Sequence, residues 1–380
     1  MSSPRSVVEL LQELIRIPSV NPEGDPGVTE TGEGACARYV GDFLETCGAA
    51  VTFEEVLPGR PNVIGRFPGR KEGKFRLLFA PHTDTVSVSG MSIDPFGGHI
   101  VEGKVTGRGA SDTKGTMAAM LWALHELRAT IPGLEAEVTF VGLMGEEAGQ
   151  PGSRHFADNY RGEFDFAVVG EPTRCRIVHA HKGCQWIDLI AKGRAAHGAS
   201  PQLGDNAIRK LLPALETVIE SLESRLPAFS DPLLGEATVS LGKLQGGHST
   251  NIVPDRCRAS LDIRSTPSLF AAGGPLRIVE ETLADAGFQD HVAVEVMVDA
   301  APLHTDPSHP GIRALEKAGG RRDTAPWFCD AGRLAAGGIP AVACGPGNIA
   351  QAHTRDEFLS IADLEKGVRF YTQFLRQFAD

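Results

Sequence analysis

The chain has 380 residues, 42% of them hydrophobic and 22% charged, with a formal net charge of −11. That length suffices for two domains with a real core in at least one, and the acidic balance argues against nucleic acid or an anionic membrane as partner. Seven cysteines are scattered without a Cys-x-x-Cys pair, which reads as reduced, buried thiols of a cytoplasmic protein.

The opening stretch "MSSPRSVVELLQELIRIPSV" puts Val7, Leu10, Leu11, Leu14 and Ile15 on a helical period, with Glu9 and Glu13 breaking every apolar run. It reads as an amphipathic helix, not a signal peptide, and no stretch approaches a membrane span. Up to about residue 182, continuous apolar strands alternate with helices: "FRLLFA" (75–80), "AEVTFVGLM" (136–144) and "FDFAVVG" (164–170) read as strands buried on both faces of a largely parallel sheet. Between them "GTMAAMLWALHEL" (115–127) places Met117, Met120, Leu121 and Leu124 on one helical stripe.

A second rhythm occupies 183–298. "CQWIDLIAKG", "EATVSLGKL", "RCRASLDIRST" and "HVAVEVMV" alternate like half-exposed strands. Two helices separate them, "DNAIRKLLPALETVIESLESRL" (205–226), with Asp205 as expected N-cap, and "GPLRIVEETLADAG" (274–287), closed by Gly287. The order β-α-β-β-α-β predicts a ferredoxin-like unit inserted into the first domain. That domain resumes over 299–380, with the strand "GIPAVACG" and the helix "SIADLEKGVRFYTQFLRQF".

Open α/β sheets present ligands at the carboxyl ends of their strands. After "FRLLFA" come His82 and Asp84; after "AEVTFVGLM", Glu146 and Glu147; after "FDFAVVG", Glu171. "GRGASDTKG" holds Asp112 in a glycine-rich loop before a helix, and "GPGNIAQAHTRDEF" offers His353. A lone Glu-Glu or His would be unremarkable. Acid or imidazole at every strand end of one sheet edge would repel itself without a cation, and two His with three carboxylates suit zinc or a similar divalent ion. Three carboxylate ligands undercompensated by one divalent ion favour two ions, whose net positive charge would acidify a bound water. His82 and Asp84 stand at i and i+2, on one face of an extended strand, so His82 can ligate through one nitrogen while Asp84 accepts a hydrogen bond from the other. Of the adjacent Glu146 and Glu147, one can bind metal while the other moves protons.

These residues resemble the dinuclear zinc amidohydrolases and peptidases that include acetylornithine deacetylase, succinyl-diaminopimelate desuccinylase, carboxypeptidase G and aminoacylase. "APHTDTV", "GRGASDTKG", "GLMGEEAGQPGS", "VVGEPT", "GRAAHGASP", "NIVPDRCRASLDIR" and "GPGNIAQAHTRDEF" carry the resemblance over nearly the whole chain. It implies an α/β catalytic domain of zinc-exopeptidase type (1–182 and 299–380) with an inserted ferredoxin-like lid and dimerisation domain (183–298). Asp112 would bridge two metals, with His82 and Glu171 on one and Glu147 and His353 on the other. Glu146 would be the general base and acid, and Asp84 the partner of His82. His197 would polarise the scissile carbonyl of the neighbouring chain in a homodimer, and Asn251 and Arg264 would hold the substrate's carboxylate. The Asp112–Thr113 peptide would be cis.

The implied activity is metal-dependent hydrolysis of the amide bond of an N-acyl amino acid, as in acetylornithine deacetylase. The metals would be two divalent ions, zinc, cobalt or manganese. A carboxypeptidase or dipeptidase with the same centre is the alternative. Glu171 leans away from aminoacylase, where Asp tends to stand. Phe328-Cys329-Asp330-Ala331-Gly332-Arg333 lacks the hydroxyl of the desuccinylase stretch Thr/Ser-Asp-Gly-Arg-Phe and places that reading last.

Overall fold

Residues 4–23, 31–69 and 75–379 are described in the structure, a computed structural model. Helix α1 (Val7–Arg16) begins where Ser6 accepts a hydrogen bond from the Glu9 amide, and it buries Val7, Leu10, Leu11, Leu14 and Ile15 as the period requires. After it come α2 (Gly34–Thr46), β1 (Ala50–Leu57), β2 (Arg60–Arg66), β3 (Phe75–Pro81), β4 (His99–Val101), β5 (Lys104–Thr106) and α3 (Lys114–Leu127). Next are β6 (Ala136–Gly142), α4 (Pro151–Asn159), β7 (Phe166–Gly170) and β8 (Arg176–His181).

The second stretch of chain forms β9 (Gly183–Lys192), α5 (Ala207–Arg225), β10 (Thr238–Gly246), β11 (Arg256–Ser265), the short α6 (Pro267–Ala271), α7 (Gly274–Asp285) and β12 (Val292–Ala300). The chain closes with β13 (Leu303–His304), α8 (Pro310–Lys317), β14 (Arg321–Ala325), α9 (Asp330–Ala336), β15 (Ala341–Ala343), β16 (Phe358–Ser360) and α10 (Ile361–Arg376).

The large sheet runs β1-β2-β6-β3-β7-β15-β8-β13, with β14 joined to β8. Its centre, β6-β3-β7-β15, is parallel, and these are the continuous apolar runs: Leu77, Leu78, Phe79 and Ala80 have no exposed surface. The flanks are antiparallel, β1 and β2 on one side and β8 on the other. Helix α3 packs against α1 and α10. It is buried nearly all round, not along one stripe, because Ala118, Ala119 and Ala123 are enclosed as well. A small sheet, β16-β5-β4, joins the segment after His353 to the segment before Asp112.

Contacts divide the chain into two units, the second comprising His181–Pro302 and Ala325–Phe328. Its sheet order is β10-β11-β9-β12, antiparallel throughout, which is the expected ferredoxin-like arrangement. Ile187, Leu189, Leu261 and Ile263 meet Leu211, Val218 and Ile278 in its core. One cap differs from expectation: Asn206, not Asp205, accepts the Arg209 amide at 3.1 Å, while the Asp205 carboxylate pairs with Lys210. Among the described residues no helix is long and apolar enough to cross a membrane.

Candidate metal centre

Strand geometry persists past the end of β3. His82 bridges Leu143 in parallel, and the Thr83 amide donates to Leu143 O at 2.7 Å, so His82 and Asp84 leave the strand as its pleat dictates. Both are buried. His82 Nε2 lies 3.1 Å from Asp112 Oδ1, while its Nδ1 is 3.0 Å from the Asp84 carbonyl oxygen and 3.3 Å from Asp84 Oδ1. The second nitrogen of His82 thus meets both the main chain and the carboxylate of Asp84.

The Asp84 carboxylate has further work. It accepts the amides of Glu146 and Glu147, each at 3.0 Å, and Asn21 Nδ2 at 2.8 Å. One buried anion therefore sets the turn that separates the two glutamates. Gly145 precedes them at φ +75°, a conformation that favours glycine. Glu147 Oε2 faces His353 Nε2 at 3.2 Å, and His353 Nε2 lies 3.3 Å from Asp112 Oδ2. The two Asp112 oxygens are thereby turned to two different imidazoles. The Asp112–Thr113 peptide is cis, and the Thr113 hydroxyl donates to Gly170 O at 2.6 Å, just before Glu171. The loop after Glu171 and the loop leading to His353 are held together through Thr173 and Gly345, where a Cβ would come within 2.7 Å of Glu171 O.

Electrostatics set the carboxylates of the cluster against one another. Burial, then the Asp112 charge, push Glu147 up to about 7 and Glu171 well above the usual carboxylate range. Burial and the charge of Asp330 do the same to Glu146. Burial opposes the charge of Asp112, yet hydrogen bonds with His353 and His82 hold it below the ordinary range. Ligand atoms of His82, Asp112 and Glu147 lie within 4.8 Å of one another, and Glu147 Oε1 is buried without a hydrogen-bond partner. Enclosed carboxylates resisting ionisation, an unpartnered oxygen and two imidazoles make a donor set that fits divalent cations.

Several contributors were not singled out in the sequence. Gln150 Nε2 donates to Glu146 Oε1 at 3.3 Å, and Ser153 Oγ meets the buried Asp330 at 2.5 Å. Asn21 and Glu357 act through backbone or carboxylate contacts that spacing does not reveal. His179 and His181 are buried, with Nδ1 against the main-chain oxygens of Thr305 and Lys182.

In the second unit the structure brings His197 and Asn251 together: His197 bridges Ile252, and the Gly198 amide donates to Asn251 O at 2.7 Å. His197 is exposed, and its Nδ1 accepts the Ala199 amide at 3.0 Å. That bond assigns the ring proton to Nε2, which is left as the donor. Arg264 stands on β11. Its Nε and Nη2 grip Asp262 at 2.8 and 3.0 Å, leaving the Nη1 side as the donor edge.

A parallel-centred α/β sheet that gathers buried acids and a buried imidazole at its strand ends, with a second imidazole from a nearby loop, defines a metallohydrolase scaffold. The chain belongs to peptidase family M20/M25/M40, whose model matches residues 78–377. It is 29% identical to an acetylornithine deacetylase of Proteus mirabilis over 98% of this chain and 96% of that protein. It is 30% identical to a probable carboxypeptidase of Aspergillus niger over 96% of this chain and 88% of that protein. The M20 family metallo-carboxypeptidase Sso-CP2 of Sulfolobus solfataricus has the same fold, with a TM-score of 0.80 at 20% identity over 99% of each chain. The protein is thus an enzyme that hydrolyses amide bonds.

Proposed function

We propose that this enzyme removes the acyl group from an N-acyl amino acid, using two divalent ions, zinc in the first instance with cobalt or manganese as substitutes. The observation that carries the metal reading is the convergence of His82, Asp112 and Glu147 within 4.8 Å. His82 and Glu171 would hold one ion, Glu147 and His353 the other, with Asp112 between them. When bound, such ions acidify a water and polarise an amide carbonyl. Glu146 takes a proton from the attacking water at its carboxylate and returns it to the departing amine nitrogen. Asp84 keeps Glu146 and Glu147 pointing apart by holding their amides. His197 donates Nε2–H to the carbonyl oxygen as negative charge builds there. Asn251 and the free edge of Arg264 hold the substrate's carboxylate.

The reading places the enzyme in the cytoplasm as a homodimer, each His197 serving the partner's centre, with the second unit as lid and dimerisation domain. Support for a deacylase is the full-length likeness to an acetylornithine deacetylase. The likeness to a probable carboxypeptidase keeps peptide substrates as the second reading. A panel of N-acetyl and N-succinyl amino acids and dipeptides, with and without chelator, tests both. Chelator-sensitive release of acetate or succinate supports the deacylase, and turnover of peptides alone replaces it with the second reading. Metal uptake without any turnover would leave a binding protein.

A further inference from the structure

Glu357 has no exposed side-chain surface, yet it carries a carboxylate and lies just ahead of β16, four residues after His353. Four donors converge on it. Oε2 accepts Arg108 Nη1 at 2.8 Å and the Gly109 amide at 3.1 Å, and Oε1 accepts the amides of Ser111 at 2.9 Å and Asp112 at 3.0 Å. The surrounding bonds repeat the same link. The Gly107 amide donates to Glu357 O, Ser111 Oγ to Phe358 O, and Arg108 also reaches Thr354 O. An ordinary buried ion pair would need the guanidinium alone. Here the "GRGASD" loop is wrapped around one carboxylate, and the last amide it grips belongs to Asp112 itself.

We propose that Glu357 is the positioning residue for Asp112. It fixes the loop so that the two Asp112 oxygens stand at 3.1 Å from His82 and 3.3 Å from His353. Because His353 and Glu357 share one short loop, the same carboxylate sets the spacing between Asp112 and His353. The inference rests on the reading of Asp112 as a metal ligand.

Glu357→Gln tests it. The amide keeps one acceptor but turns an NH2 toward donors on the other side, whichever way it lies. Groups that orient metal ligands typically contribute ~10–100-fold to metal affinity. The variant is expected to lose about that much in competition with a chromogenic chelator. Its Co2+ form is expected to show a shifted visible absorption spectrum, and kcat to fall with KM little changed. Leu359→Ala is the control, since Leu359 is buried on β16, two residues after Glu357, and its side chain makes none of these hydrogen bonds. It should lower the melting temperature while leaving metal affinity and the Co2+ spectrum in place. Should Glu357→Gln not fold, Glu357→Asp carries the test, keeping the charge but too short to reach all four donors. Wild-type affinity and spectrum in the Glu357 variant overturn the proposal. So does an equal change in Leu359→Ala at matched loss of melting temperature. Wild-type protein that takes up no divalent ion removes the centre itself, and this role with it.

Discussion

Asp84 and Asp112 of the first unit and His197 and Asn251 of the second are held in opposite ways. In the first unit Asp84 is fully buried, and its carboxylate accepts from two backbone amides and Asn21. Glu357 is gripped by four donors, and Asp112 stands between two imidazoles. In the second unit His197 and Asn251 lie on the surface, and their side chains bond only to residues two positions away, the Ala199 amide and the Ser249 hydroxyl. Groups that must hold cations have to be pre-set, because misplaced buried carboxylates have no water to fall back on. Groups that meet a substrate as it arrives work from exposed positions, and little of the fold depends on them. The contrast predicts that substitutions in the first unit disturb metal or base, while those at the exposed loops disturb chemistry alone.

The strongest effects belong to the first unit. Asp112→Ala is expected to lose both ions and all activity above background, since only a shared ligand couples two sites. Glu146→Ala should retain its metals while kcat falls ~10²–10⁴-fold, the usual contribution of a general base. Glu147→Ala should lose one ion. Metal analysis beside steady-state kinetics reads all three. If Glu146→Ala loses metal and Glu147→Ala keeps both ions, the assignment of ligand and base is reversed.

His197→Ala comes next and sharpens the contrast. Removing a donor to a developing oxyanion costs ~10²–10³-fold in kcat. Metal content and melting temperature should stay at wild-type levels, because the residue is exposed. Mixed with Glu146→Ala under conditions of subunit exchange, the His197→Ala protein should regain part of its activity. No recovery after demonstrated exchange means that His197 does not serve the partner. A smaller change is expected for Asp84→Asn, about 10–100-fold in metal affinity. Its NH2 would face an amide or the Asn21 donor in place of an accepting oxygen. Unchanged affinity would show that the Glu146–Glu147 turn holds its shape without that carboxylate.

The parallel centre of the large sheet was legible because strands buried on both faces must be apolar throughout, as in "FRLLFA" and "FDFAVVG". The ferredoxin-like order was legible because its sheet has one covered face, which enforces alternation, as in the burial of β11. The antiparallel edge was not: β1, "AVTFEEVL", is half-exposed with Phe53 turned to solvent, so its pattern names no partner. At the centre, residue types at strand ends drew attention to His82, Asp112, Glu147, Glu171 and His353. Glu357 escaped because "TRDEF" reads as a solvated charge run, and its partners are backbone amides that carry no sequence signature. The same holds for the grip of Asp84 on Glu146 and Glu147.

Inside the second unit the contrast should break at a buried, rigid histidine. His181 is fully buried, its Nδ1 2.8 Å from Lys182 O and its ring centroid 6.2 Å from that of Trp327. Burial disfavours the imidazolium and lowers the ring from its ordinary 6.5 to about 4. The unfolded chain therefore takes up this proton as pH falls through about 6.5, while the folded chain does not until about 4. The stabilisation is complete above the higher value and declines as pH drops toward the lower one. Across that window it amounts to at most ~3 kcal/mol, and to roughly 2 kcal/mol by pH 5. Replacing the ring by one that cannot ionise, His181→Phe, should remove this contribution to the slope. Urea unfolding at pH 7.5 and pH 5.0 measures it, and the carboxylates of the first unit drop out because wild type and variant share them. The difference in stability between variant and wild type should shift in the variant's favour by about 2 kcal/mol on going to pH 5.0. Parallel pH dependences would mean that His181 is protonated in the fold as readily as in the unfolded chain. The second unit would then be loosely held throughout, not only at its exposed loops.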